Sequence, residues 1–289
     1  MNTPPRMLVT GASGLLGQEL CSHFKDKATL LRQGFAHGHA KDIACDLREP
    51  RETRILVEEA KPDLVVHCAA YREPDYCEEH QQDARALNVG AVESLLHALP
   101  TSARFVLIST DYVFDGEHPP YTETSAVCPV SEYGRNKAEA EAMVNLRPGS
   151  LILRIPVLIG HDPRPNKPGF LQQMAQQVRS GHPAVVDDVL VRHPTWTRDV
   201  AEALDFLLSR GETGTYHAAS AEGGTRYQLT CRLAGLLGVP HDDLAPSKAV
   251  IHRAARRPLN SHLSSAKLAS LGFTGFNSFE DVVKVVLGD

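Results

Sequence analysis

The chain has no apolar run approaching the roughly 18 consecutive residues that a membrane span requires. Its first residues, MNTPPRMLVTG, lack the long apolar core of a signal peptide. Both absences lead to the expectation of a soluble, cytoplasmic protein. Cysteine is sparse, with six residues at 21, 45, 68, 77, 128 and 231 and no C-x-x-C spacing; they read as reduced thiols packed like small apolar side chains. Basic charge is not in excess, since 30 Lys and Arg face 35 Asp and Glu for a net charge of -5, which argues against a nucleic-acid surface. The 14 histidines do not gather with carboxylates or thiols. His37 and His39 in HGHAKD come nearest to a ligand pair, and no metal is expected. No internal repeat or low-complexity tract is evident, and the G-x-G-x-x-G spacing of the general dinucleotide fingerprint is not met.

What is present is a regular alternation. Strand-like runs at MLVT, ATLL, DIAC, DLVVHCA, FVLIST and LILRIPV alternate with helical runs, and 289 residues suffice for one large core or a domain plus a cap. This order predicts an α/β fold: a doubly wound parallel (Rossmann) sheet with right-handed crossovers and a smaller, discontinuous α/β substrate domain. The nucleotide half ends near Gly160, and a strand at GTYHAAS rejoins the parallel sheet. The expected division is 1–160 with 193–217 for the NAD(P)-binding domain, and 161–192 with 218–289 for the substrate-binding domain. HDPRPNKPG reads as a proline-rich loop over the cleft, and FLQQMAQQVRSG as an amphipathic helix. PTWTRDVAEALDFLLSR reads as a helix with Thr197 as N-cap and Asp199 in its first turn. RYQLTCRLAGLLG is a helix ended by Gly238, and SFEDVVKVVL is the final helix.

TGASGLLG follows the apolar run MLV and opens the amphipathic stretch LLGQELCSHF. Glycines at 11, 14 and 17 leave bare backbone where a pyrophosphate can approach a helix N-terminus, or serve turning and packing alone. Ser13, Leu15 and Leu16 lie between them. The second strand, in ATLLRQGFAHGHAK, ends without the acid that would accept ribose hydroxyls. Arg32, His37 and Lys41 lie there instead, which favours NADPH with NADH as second choice, although Arg32 is equally a solvated surface charge. Asp46 in IACDLREP, beside Leu47, either reaches an adenine amino group or caps a helix. The strand in PDLVVHCAAYREPDYCE runs through Cys68 into Ala69, Ala70 and Tyr71. The small residues leave room for ribose and nicotinamide, or for tight helix–sheet packing. Asn88, within the helix ARALNVGAVESLLHAL, bonds backbone near the site or faces solvent.

Tyr133 and Lys137 in YGRNKAEAEAM stand at i and i+4 and share a helix face. An ammonium beside a phenol lowers its pKa, and a tuned phenol donates a proton. A half-buried aromatic with a solvated neighbour gives the same spacing. Thr110, where a strand runs out in STDYVFDG, offers a hydroxyl to the same substrate oxygen. The three read as a carbonyl-reducing or alcohol-oxidising site.

TGASGLLG, HCAA, LNVGAVESL, STDYVFDG and YGRNK occur in an order that resembles the extended short-chain dehydrogenase/reductases over nearly the whole chain. Within that family, STDYVFDG, PPYTETS, YGRNKAEAE and RRPLNSHLSSAKL are similar to the dTDP-4-dehydrorhamnose reductases and to their relatives, the methionine adenosyltransferase regulatory beta subunits. The resemblance implies that Gly11, Gly14 and Gly17 bind the cofactor diphosphate, that Tyr133 is the proton donor and that Lys137 binds the nicotinamide ribose while lowering the pKa of Tyr133. It implies that Thr110 orients the carbonyl, that Asp111 and Tyr112 contact the sugar and that Arg257 belongs to the substrate segment. Pro156 and Val157 stand where rhamnose-forming reductases usually carry a tryptophan, so Pro156 faces the cofactor and Val157 the substrate without a stacking surface. LRIPVLIG, the Arg-Glu-Pro-Asp run after HCAA, and HPTWTRDVA instead resemble the regulatory branch, which binds NADP and partners a synthetase. Arg253, Arg256 and Arg257 form a basic segment that meets a diphosphate or stays solvated.

The expected function is NAD(P)H-dependent reduction of a keto group, most simply the 4-keto group of a nucleotide-diphosphate deoxysugar. The alternative is a nucleotide-binding regulatory or scaffold protein for a partner enzyme such as methionine adenosyltransferase. A reductase of a non-sugar ketone is a third reading. The resemblance makes a homodimer plausible without a sequence mark for it.

Overall fold

The computed structural model describes residues 4–35, 43–162, 168–249 and 253–288. The expectations on His37, His39, Lys41 and the middle of HDPRPNKPG lie outside these residues. Six strands come in chain order: β1 (Arg6–Thr10), β2 (Thr29–Gly34), β3 (Ile43–Ala44), β4 (Leu64–His67), β5 (Arg104–Thr110) and β6 (Leu151–Ile155). With the later strand Gly214–His217 they form one seven-stranded sheet, ordered Gly214–His217, β6, β5, β4, β1, β2, β3. Every neighbouring pair is parallel. The order reverses between β1 and β4, and such a switch point opens a crevice at the carboxyl ends of the strands.

The apolar runs follow from burial on both faces. Successive side chains of a strand point to opposite sides, and the core divides accordingly. Met7, Val9, Val66, Val106 and Leu153 pack on one face with Leu16, Leu20 and Phe24 of helix Leu15–Phe24 and with Val200, Leu204 and Leu207 of helix Thr197–Ser209. Leu8, Val65, Phe105, Leu107 and Ile152 pack on the other with helices Pro50–Ala60, Ala91–Ala98 and Glu132–Asn145. A separate core joins helices Phe170–Ser180, Arg226–Leu237 and Phe279–Leu287 through Leu171, Met174, Leu233 and Val282. Helix Arg226–Leu237 starts with a capping box between Thr225 and Gln228 and stops at Gly238, whose φ of 64° is left-handed. Among the described residues no helix is long and apolar enough to cross a membrane.

Two local expectations change. The N-cap of helix Thr197–Ser209 is Trp196, not Thr197; Thr197 is already helical, and its buried Oγ1 lies where a Cβ on Gly160 would approach to 2.5 Å. Asp199 is in the first turn as expected, but buried, and desolvation pushes its carboxyl up to about 6 despite two bonds from Asn277. The helix expected through Asn88 is interrupted by a π-helical turn at Ala86–Gly90. Such wide turns often mark functional sites.

Gly17 of the first helix leaves no room for a side chain: an added Cβ would sit 2.3 Å from the Gly11 carbonyl oxygen. Gly235 is exposed in a helix with nothing near such a Cβ. Gly17→Ala is therefore expected to destabilise by about 1–3 kcal/mol through overpacking. Gly235→Ala is expected to stabilise by up to about 1 kcal/mol. Thermal unfolding of the two variants checks both signs.

Candidate active site

At the carboxyl edge of the sheet lies a cleft of about 640 Å³ that continues toward the smaller core. The glycine turn forms one wall. Gly11 adopts a φ of 64°, and a Cβ there would lie 2.8 Å from the Ala69 amide nitrogen. Its N–H donates to Gln33 Oε1 at 3.0 Å, while Gln33 Nε2 donates to the Cys45 carbonyl at 2.7 Å. Gln33, at the end of β2, thus ties the turn to β3. Helix Leu15–Phe24 begins after Gly14 with no side-chain cap. Its first N–H groups and the bare Gly11, Gly14 and Gly17 suit the diphosphate of a dinucleotide. Ser13, Leu15 and Leu16 line the same wall.

Near the end of β2 the cleft meets Gly34, Phe35, Asp46, Leu47 and Arg48. Arg48 grips Asp46 through Nε at 2.9 Å and Nη2 at 2.7 Å, and reaches Asp83 through Nη1 at 2.7 Å. Asp46 is therefore neither a helix cap nor a free carboxylate; Glu49 caps the following helix, and the Arg48 guanidinium holds the Asp46 carboxyl below its ordinary range. Arg32 does not line the cleft, because that end of β2 presents Gln33, Gly34 and Phe35 instead. Asn88 does not line it either. It is buried, accepts the Tyr71 N–H at 2.8 Å and donates to the Tyr71 carbonyl at 2.9 Å, fixing Tyr71 from behind. Cys68, Ala69, Ala70 and Tyr71 form the wall over β4, with Pro156 and Val157 beyond β6.

Thr110, Tyr133 and Lys137 come together in this cleft. Ser131 caps helix Glu132–Asn145 by accepting the Gly134 N–H at 3.3 Å. A Cβ on Gly134 would lie 2.2 Å from the Tyr112 carbonyl, so the helix start presses on the loop after β5. Tyr133 is in that first turn. Lys137 is 2% exposed, and its Nζ donates to the Ile108 carbonyl at 2.7 Å. Burial lowers its ammonium to about 8, with Glu141 acting in the opposite sense. The expected depression of the phenol by Lys137 is not the dominant effect: desolvation pushes the Tyr133 hydroxyl up, and Thr110 acts in the opposite sense. Glu141 accepts Ser109 Oγ at 2.5 Å and Arg154 Nε and Nη2 at 2.9 and 2.7 Å, a buried ion pair one turn below Lys137.

Thr110 Oγ1 accepts the Tyr112 N–H at 3.2 Å and donates to Asp111 Oδ1 at 3.1 Å. Asp111 is 3% exposed, with Ser261 on its other oxygen, and burial raises its carboxyl. The Tyr112 ring packs edge-on to Tyr133 with centroids 5.6 Å apart. Arg72, Arg192, Arg226, Arg253 and Arg257 also line the cleft. Arg257 forms a fork with Asp75 at 2.9 and 2.6 Å, and that guanidinium pulls the Asp75 carboxyl down to about 2. Arg256 lines an adjoining cavity instead. The tryptophan absent beside Val157 has no substitute from Trp196, which is buried in the smaller core.

Gln33, Arg48, Asp75, Arg192, Arg226 and Ser261 escape a reading by motif. Only Arg48, two residues after Asp46, and Asp75, in the Arg-Glu-Pro-Asp run, carry a local signal. Among the described residues no group of three or more His, Cys, Asp or Glu is placed to hold a metal ion.

Residues 5–289 match the family model described as the RmlD substrate binding domain. The methionine adenosyltransferase 2 subunit beta of Danio rerio is 33% identical over 279 residues, spanning 93% of this chain and 85% of that protein. A probable dTDP-4,6-dihydroxy-2-methyloxan-3-one 4-ketoreductase of Streptomyces antibioticus is 31% identical over 292 residues, spanning 98% and 95%. The crystal structure of a hypothetical dTDP-4-dehydrorhamnose reductase from Sulfolobus tokodaii superposes with a TM-score of 0.87 at 27% identity, covering 96% of this chain and 98% of that one. A switch-point cleft with this glycine turn, and a family match over nearly every residue, lead to one conclusion: the chain belongs to the RmlD substrate-binding-domain family of extended short-chain dehydrogenase/reductases.

Proposed function

We propose that this protein uses NADPH to reduce the 4-keto group of a nucleotide-diphosphate deoxysugar. One observation carries the reading: a single cleft holds the glycine turn, the Thr110, Tyr133 and Lys137 cluster, and then Arg192, Arg226, Arg253 and Arg257. Arginine suits the oxygens of a diphosphate by charge and by its planar fork. The Streptomyces relative, whose name states a 4-ketoreductase acting on a dTDP sugar, adds support.

NADPH supplies the hydride when bound against Gly11, Gly14 and Gly17. Tyr133 moves its proton to the ketone oxygen as general acid. Thr110 donates a hydrogen bond to the same oxygen, and the buried ammonium of Lys137 would hold the nicotinamide ribose. NADPH is preferred over NADH because residues 32–35 carry no acid for ribose hydroxyls and Arg48 occupies the Asp46 carboxylate.

A second reading, a nucleotide-binding regulatory partner of another enzyme, draws on the 33% identity to methionine adenosyltransferase 2 subunit beta. The absent stacking surface at Pro156 and Val157 also leaves room for a non-sugar ketone. Neither reading accounts for the arginines that line the same cleft as Tyr133. Co-elution with a methionine adenosyltransferase, together with no NADPH oxidation across a panel of 4-keto sugar nucleotides, decides for the regulatory role.

Tyr133→Phe should lower kcat by about 10²- to 10⁴-fold, the usual contribution of a general acid, while NADPH still binds. NADPH oxidation followed by absorbance, and NADPH binding followed by fluorescence, separate the two effects; unchanged turnover refutes the assignment. Arg257→Ala should raise KM for the sugar nucleotide about tenfold or more, since a hydrogen bond to a charged group is worth roughly 1.5–3 kcal/mol. NADPH affinity should stay within about twofold. An unaltered KM would remove Arg257 from the substrate site.

A further inference from the structure

Thr110 has one hydroxyl proton and two claims on it. The Tyr112 N–H, 3.2 Å away, fills one acceptor site of Oγ1, and Asp111 Oδ1 lies 3.1 Å away. An ionised carboxylate has no proton to give. Beside an ionised Asp111 the Thr110 proton is therefore committed to Oδ1, and the hydroxyl cannot donate to the oxygen of a bound ketone. Beside a protonated Asp111 the bond reverses. Oδ1–H donates to Oγ1, both acceptor sites of Oγ1 are filled, and the Thr110 proton turns toward Tyr133 and the substrate. Oδ2 accepts the Ser261 hydroxyl in either state.

We propose that Asp111 works as a neutral acid that turns the Thr110 hydroxyl toward the substrate oxygen, with Ser261 holding the other carboxyl oxygen. The proposal rests on the reductase reading given above and makes Asp111 a positioning residue. Its surroundings favour the neutral form. Asp111 is 3% exposed, and the side chains bonded to it are uncharged hydroxyls. A buried carboxylate without a contacting cation is costly. Two other groups face it. Arg192 favours the charged form from a distance, but its guanidinium donates to the Val191 and Pro258 carbonyls. From helix Glu132–Asn145, the Tyr133 phenol and a charged Asp111 oppose each other's ionisation. Burial outweighs Arg192 and moves the carboxyl above its ordinary range. A neutral Asp111 also serves Tyr133 after it has given up its proton, because the phenolate then meets no negative charge on Asp111.

The sign of the linkage follows. A carboxyl whose folded-state pKa lies above its unfolded value, about 3.9, binds more protons in the folded state between those values. Stability therefore falls as pH rises from about 4 to the folded-state pKa and is level above it. Asp111→Asn is a permanent copy of the neutral acid, because its amide donates to Thr110 and its carbonyl accepts from Ser261. Tm and kcat/KM are to be measured from about pH 4 to 9 with NADPH and dTDP-4-dehydrorhamnose. The Asn variant should exceed the wild type in Tm by a margin that grows above about pH 4 and then levels. Wild-type kcat/KM should decline by up to about tenfold per pH unit beyond the Asp111 ionisation, and the Asn variant should lack that decline. A Tm margin independent of pH overturns the proposal, as do superimposable rate profiles. Should Asp111→Asn not fold, Ser261→Ala serves instead: it removes a bond that favours the carboxylate and should move the decline to higher pH, and an unmoved decline counts against the proposal. Absence of turnover in the wild type refutes the reductase reading, and the pH dependence of the Tm margin then decides alone whether Asp111 holds a proton.

Discussion

The ammonium of Lys137 on the Ile108 carbonyl is the contact on which the rest of the site depends. A cation so deeply buried is stable only where its surroundings compensate for lost water. The carbonyl provides one partner. Glu141, one turn further along the helix, provides opposite charge, and Arg154 and Ser109 hold Glu141 in turn. These groups come from β5, β6 and helix Glu132–Asn145, so the three elements are fixed relative to each other by a polar network beneath the cleft. Tyr133 inherits its position from that arrangement, since it stands on the same helix and Gly134 presses the helix start onto the Tyr112 carbonyl.

The two ends of the cleft are built on contrasting electrostatics. At the glycine turn, attraction for an anion comes from backbone: an uncapped helix N-terminus and residues without side chains. At the far end it comes from arginines, tempered by the Asp75 fork on Arg257. The segment from Tyr71 to Asp83 touches both ends, because Asp83 holds Arg48 beside Asp46 and Phe35 while Asp75 holds Arg257 and the Ala255 N–H. Asn88 secures the start of that segment through both backbone groups of Tyr71. A polar residue in an apolar helix thereby acquires a structural purpose that faces away from the ligand.

What was legible in the sequence and what was not have the same physical origin. Parallel strands buried on both faces appear as continuous apolar runs, and glycine turns recur at fixed intervals, so β1, β4, β5 and the Gly11–Gly17 turn are visible in the chain itself. Tyr133 and Lys137 are visible because helix geometry relates them locally. Asp75 and Arg257 are separated by 182 positions, and Asp111 and Ser261 by 150; no local pattern joins them. The cap at Trp196 has a related cause. Thr197 has the chemistry of an N-cap, but its hydroxyl packs toward Gly160, and that tertiary contact outweighs local propensity. Arg32 shows the converse, a plausible charge at the strand end that is absent from the cleft lining, where its neighbour Gln33 is found.

The effect of Lys137 on Tyr133 is the clearest case in which geometry revises a motif. A shared helix face suggests an ammonium beside a phenol, yet the ammonium is taken by the Ile108 carbonyl, and it is Thr110 that opposes the effect of burial on the phenol. Burial, not Lys137, then dominates the Tyr133 hydroxyl, and Thr110 is the neighbour that acts against it. Donation by the Thr110 hydroxyl has a direction, and the direction is set by whatever else competes for the same proton. Asp111 is that competitor, shielded from water and held by Ser261 from a segment remote in sequence. The cluster is thus closed by the C-terminal part of the chain, which brings Ser261 to Asp111 and Arg257 to the lining of the same cleft.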